Sequence, residues 1–162
     1  MFFIFPFCYW FLPTEIAEAV NADRKGHHAD IETFEDWIAC DHISAHSNRY
    51  ITAFDKTVKD SVEDELADVA IKLLDFAGAR KVRLNSKYTF RIINTRNTFC
   101  ENCYQICQEI TSESYSGTGE CIQYMLKDII AFSKLYHINI FKFIDLKMKY
   151  NELRPYKNGK KY

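Results

Sequence analysis

The stretch SVEDELADVAIKLLDFAG, residues 61–78, decides the fold. Val62, Leu66, Val69, Ala70, Leu73, Leu74 and Ala77 recur at three- and four-residue intervals, the period of one helical face. The spacing predicts a helix over 61–77, with Gly78 as its C-cap. Upstream, Pro13-Thr14 predicts a helix start with Thr14 as N-cap, Glu15 in the first turn and Gly26 as the stop, a helix over 15–25. Downstream, helices are expected over 98–111, 120–135 and 141–153. The turn-rich SESYSGTG at 112–119 and a break at His137-Ile138-Asn139 separate them, and Pro155 closes the last. Residues 81–93 read as a loop or short extended piece. Between 27 and 60 no long period holds, and 31–39 and 50–58 are expected as short helices in an enlarged connection.

Composition points the same way. A chain of 162 residues is one domain's worth, which excludes two independent catalytic domains. With 48% hydrophobic and 27% charged residues it is neither disordered nor low-complexity, and five Gly and three Pro are too few for a many-stranded sandwich or barrel. An all-α helical bundle is expected, a single domain over 1–162. The opening run 1–12 is apolar apart from Pro6, too short to span a bilayer, and no basic residue precedes Arg24 to act as a signal n-region. It is expected to be buried or to be an atypical start to a truncated chain, with no membrane association. Six cysteines without a secretion signal read as reduced thiols of a cytoplasmic protein, with no disulfide.

The net charge of −1 gives no reason to expect nucleic acid, but the charge is segregated. Residues 60–68 hold five carboxylates and no base, whereas 142–162 hold seven Lys or Arg against Asp145 and Glu152. Two acidic segments superimpose: Glu15-Ile-Ala-Glu18-Ala-Val and Glu65-Leu-Ala-Asp68-Val-Ala. On a helix, carboxylates three apart share a face about 5 to 6 Å apart, so each pair can aim at one spot. One such pair is commonly a solvated face; the same pair twice, in the same apolar frame, points to a shared task. Four facing carboxylates cannot all stay ionised without a cation, and hard oxygen ligands select Mg²⁺ or Mn²⁺. A di-iron centre would need a His three residues after Glu15 or Glu65, and neither is present. The basic counterpart is Lys147, Asn151 and Arg154, spaced i, i+4, i+7, followed by Lys157, Gly159, Lys160 and Lys161. A cation, an amide, a guanidinium and a Lys-rich tail form a donor set for phosphate oxygens.

The segments EDELADVAIKLLDFAG and TEIAEAVNADRKG together resemble the MazG-like nucleotide pyrophosphohydrolases of the all-α NTP pyrophosphatase superfamily, which includes dimeric dUTPases. The family's ExxE and ExxD would be Glu15, Glu18, Glu65 and Asp68. The tail LKMKYNELRPYKNGKKY is similar to the family's closing segment, with Lys147, Asn151 and Arg154 on its phosphate-contacting helix. The match covers 13–78 and 98–162 in pieces. It departs in two places. Forty-six residues, 19–64, separate the acidic pairs, and the family's helix ahead of ExxE is replaced by the aromatic run 1–12. The resemblance implies Mg²⁺ on the four acids, attack of water on the α-phosphorus of a (d)NTP, and release of (d)NMP and pyrophosphate in nucleotide-pool housekeeping. Glu18 or Glu65 would be the general base, and Lys147, Arg154, Lys157 and Lys160 would neutralise the leaving group, with Asn151 orienting an oxygen. It also implies a homodimer or homotetramer. Glu65→Ala or Asp68→Ala would abolish turnover and raise the melting temperature of the metal-free protein by relieving acidic crowding. The alternative, from another class, is a helical scaffold or nucleotide-binding protein without turnover.

Weaker candidates remain. Cys100, Cys103 and Cys107 have metal-like spacing but fall on one helical face, where Cys serves as a small hydrophobe. Cys40, His42 and His46 lack a second ligand pair, and His27 and His28 read as solvated. Trp10 and Trp37 can stack on a nucleobase, although packing or a subunit contact is the commoner use.

Overall fold

The computed structural model describes residues 5–39, 46–84, 93–113 and 119–154, and of these the side chains of 5–10, 46, 47, 113 and 119 are left aside. The described residues form seven α-helices: α1 (Phe5–Arg24), α2 (Ile31–Ala39), α3 (His46–Thr57), α4 (Val62–Ala79), α5 (Phe99–Glu113), α6 (Gly119–Leu135) and α7 (Ile140–Leu153). No strand occurs among them, so the protein is all-α. None of these helices is long and apolar enough to cross a membrane.

The anticipated helix over 61–77 becomes the central element. α4 packs against α1, α6 and α7 at once, which is why Val62, Leu66, Ala67, Val69, Ala70 and Leu73 are all at most 1% exposed. Ser61 caps it, its hydroxyl accepting from Asp64 N at 3.2 Å. Its C-terminus departs from expectation. Gly78 lies inside the helix, and Lys81 takes the left-handed residue of the cap at φ 55° while Val82 N donates to Ala77 O at 2.8 Å. At the end of α1, Gly26 (φ 65°) fills that role as anticipated, with His27 N donating to Ala22 O. His137 (φ 59°) does the same after α6.

Two boundaries need correction. α1 begins at Phe5 and runs through Pro13, so Thr14 is not an N-cap. Proline costs a helix one hydrogen bond and some strain, but Leu12 and Ile16, one turn apart on either side of it, are both buried, and the same packed face holds both halves in register. In the connection over 27–60 both expected short helices form, the second with an earlier start. α2 matches the short helix expected at 31–39, and α3 begins four residues before the expected 50. Phe34, Tyr50, Ala53, Phe54 and Val58 carry α2 and α3 into the shared core. Downstream, α5, α6 and α7 fall within two residues of the expected bounds. Thr98 and Glu101 form a reciprocal cap at the start of α5, Thr98 N donating to Glu101 Oε2 at 2.8 Å and Glu101 N to Thr98 Oγ1 at 3.3 Å.

Candidate functional site

The seam between α1 and α4 gathers three of the four anticipated acids. Glu15 from α1 and Glu65 and Asp68 from α4 each offer a carboxylate oxygen, and these atoms lie within 4.8 Å of one another. Asp60, Asp64 and Glu65 form a second such group around the start of α4. Among the described residues, both groups able to surround a cation consist of carboxylates alone.

Local structure places these acids. Glu63, Asp64 and Glu65 occupy the first turn of α4, where unpaired N–H groups and the helix dipole favour negative charge. Asp64 Oδ2 accepts from Asp60 N at 3.0 Å. Glu63 turns to the other side: its carboxylate accepts from Ala29 N at 2.9 Å and meets His28 Nδ1 at 3.0 Å, fastening 27–30 to the helix start. His28 is therefore exposed but bonded, while His27 is simply exposed.

Two ammonium groups reach the acids from different sides. Lys147 of α7 lies 2.7 Å from Asp64 Oδ1 and 2.8 Å from Asp68 Oδ2, with its side chain 9% exposed. Lys72, one turn beyond Asp68 on α4, pairs with Glu15. Lys147 stands on an aromatic floor. Its Nζ is 5.7 Å from the centre of the Phe54 ring, which stacks on Tyr150 at 4.2 Å and on Tyr50 at 6.4 Å. Tyr50 OH donates to Leu146 O at 2.8 Å and Tyr150 OH to Asp55 Oδ1 at 2.6 Å, so α3 fixes the part of α7 that carries Lys147.

The electrostatics follow from burial. Burial, then repulsion from Asp64 and Glu18, pushes the Glu65 carboxyl far above the usual range, to about 9. Burial also raises Asp64 to about 6 against the pull of Lys147, and Asp68 moves upward for the same reason. Burial alone would lower Lys147, yet Asp64 and Asp68 outweigh it and the net shift is upward. Burial and the neighbouring acids thus favour the protonated form of Glu65.

The anticipated residues are distributed unevenly. Glu15, Glu65 and Asp68 converge; Glu18, one turn along α1, is exposed, although its charge is felt at Glu65. Lys147, expected to contact phosphate, is engaged by two carboxylates. Asn151 is exposed on the next turn of α7, and Arg154 lies with its Cζ 4.8 Å over the Tyr150 ring. Lys157 and Lys160 fall outside the described residues, as do Cys40 and His42 and the side chains of His46 and Trp10. Trp37 is 41% exposed, outside the core. Cys103 is buried and Cys107 half-buried; burial raises both thiols, Cys107 to about 11, which keeps them protonated as small hydrophobes.

Asp64 and Lys72 were missed by sequence reasoning. Both stand four residues from Asp68, on the same helical face, so an i, i+4 reading of α4 would have found them where the i, i+3 frame did not. Compared with known protein families, with curated proteins and with solved structures, the chain matches none.

Proposed function

We propose that the protein is a Mg²⁺-dependent nucleoside triphosphate pyrophosphohydrolase of the MazG-like kind, with Mn²⁺ able to replace Mg²⁺. The observation that carries this reading is the approach of Glu15, Glu65 and Asp68 to within 4.8 Å across two helices. The donor set is all carboxylate oxygen, the chemistry a hard divalent ion requires. Burial first, and then the neighbouring carboxylates Asp64 and Glu18, raise the Glu65 pKa. Glu15, Glu65 and Asp68 would hold the ion, joined by Glu18 from its exposed place on α1. A bound divalent ion supplies charge neutralisation at the triphosphate oxygens.

The chain's own groups do the rest. A water attacks the α-phosphorus, the bond to the bridging oxygen breaks, and pyrophosphate leaves with the electron pair, giving (d)NMP. Glu18 or Glu65 accepts the water proton as general base. Arg154, Lys157, Lys160 and Lys147 offset charge on the leaving group, and Asn151 orients an oxygen. The all-α NTP pyrophosphatase arrangement and a homodimer or dimer of dimers belong to this reading. Exposed Trp37, Ile38, Tyr104 and Phe141 supply apolar surface for self-association. Cys100, Cys103 and Cys107, in no disulfide among the described residues, suit a reducing, cytoplasmic setting.

A second reading, a helical scaffold or nucleotide-binding protein without turnover, is favoured by one observation: Lys72 and Lys147 already pair with three of the acids. Pyrophosphate release from a panel of dNTPs and NTPs, with Mg²⁺, Mn²⁺ or EDTA, separates the two. The enzyme releases pyrophosphate only with metal and loses the activity in Glu65→Ala. The scaffold releases none and shows no Mg²⁺-dependent shift in melting.

A further inference from the structure

The two lysines that balance the acids are not equivalent. Lys147 is bound to both Asp64 and Asp68, and the Asp64 side chain is 1% exposed. Its departure would strand a buried carboxylate, which proteins tolerate poorly. Among the described residues Lys72 is ion-paired with Glu15, its charge also reaches Asp68, and its side chain is 32% exposed. Its Nζ also lies 5.5 Å from the centre of the Phe11 ring, a residue 48% exposed. The Glu15 side chain is 14% exposed, so this part-buried pair costs less to break than the contact of Lys147 with the fully buried Asp64.

We propose that Lys72 is a displaceable internal cation: it holds Glu15 in the metal-free protein, yields it when a divalent ion enters, and thereby sets the site's metal affinity. The inference rests on reading Glu15, Glu65 and Asp68 as a divalent-ion site. While Lys72 Nζ occupies Glu15 Oε1, that oxygen is not free for the ion, and the ammonium charge weakens the field felt by any cation nearby. Lys147 stays with Asp64 throughout, because breaking that contact is the costlier of the two. Metal affinity in carboxylate sites is tuned by the number of charges around the ion, and Lys72 subtracts one.

Titration of the full-length protein with Mn²⁺, followed by the loss of the free-ion electron paramagnetic resonance signal, tests this. Lys72→Met keeps the alkyl stem over Phe11 and removes the charge; it is expected to tighten Mn²⁺ binding about three- to tenfold. Lys72→Arg keeps the charge and should leave the dissociation constant within about twofold of wild type. Lys59→Met removes an exposed lysine that pairs with Asp55, and should have no effect, which separates a local from a net-charge cause. Equal or weaker binding by Lys72→Met overturns the proposal while leaving the metal site standing. No saturable Mn²⁺ binding to any of these proteins, or binding that survives Glu65→Ala, overturns the metal site and the proposal together.

Discussion

Lys147 of α7 places its ammonium 2.7 Å from Asp64 Oδ1 in the first turn of α4, and this buried contact ties the two helices together beside the acidic seam. Removing one partner of a buried ion pair leaves the other uncompensated, at about 3–5 kcal/mol. Lys147→Met is therefore expected to lower the melting temperature by roughly 10 °C in this size of chain. The double variant Lys147→Met/Asp64→Leu should recover part of the loss. Thermal unfolding of the three variants checks this, and strict additivity would contradict a direct coupling.

Glu65 and Asp68 are expected to respond in opposite directions. Glu65 sits among like charges, so Glu65→Gln should raise the melting temperature of the metal-free protein near pH 8. Asp68 is a partner of Lys147, so Asp68→Ala should lower it by a few degrees rather than raise it. Differential scanning fluorimetry in EDTA distinguishes them.

The pH dependence has a defined sign. Folding raises the Glu65 pKa from 4.5 to about 9, so between these values the native state holds a proton that the unfolded chain has released. Stability of the metal-free protein should fall as pH rises through this window, with a limiting slope of about 1.4 kcal/mol per pH unit. Asp64, raised to about 6, adds to the fall at the acidic end. The raised Lys147 pKa acts only above about pH 10 and does not offset it. Denaturant melts from pH 5 to 9 should show the decline, and Glu65→Gln should flatten it.

Phe54 is fully buried beneath Lys147 and stacks on Tyr150. Phe54→Ala is expected to destabilise by about 3–5 kcal/mol through the cavity it leaves. Phe54→Leu, which keeps most of the volume, should cost less than half of that and still reduce turnover by loosening the floor under Lys147. Parallel stability and activity assays of the two variants test whether α3 serves the site.

The sequence made α4 legible because its apolar period is unbroken, and α5 to α7 were legible from the same helical spacing. The start of α1 was not legible, because Pro13 after an apolar run has the local features of a helix start, and only burial of both Leu12 and Ile16 overrides them. Residues 27–60 read as a connection because α2 and α3 are short, and their place depends on distant partners such as Glu35 with Lys142 and Tyr50 with Leu146. At the site, Glu15, Glu65 and Asp68 were legible from spacing alone. The engagement of Lys147 was not, since its partner Asp64 lies 83 residues away and a basic stripe gives no sign of which carboxylate it will meet.

The most direct test of the central claim is the identity of the products, read by ³¹P NMR after incubation of the protein with nucleoside triphosphates and Mg²⁺. The account predicts nucleoside monophosphate and pyrophosphate in equal amounts, abolished by EDTA and by Glu65→Ala. Nucleoside diphosphate with orthophosphate, or an unchanged triphosphate spectrum across the panel, would contradict it.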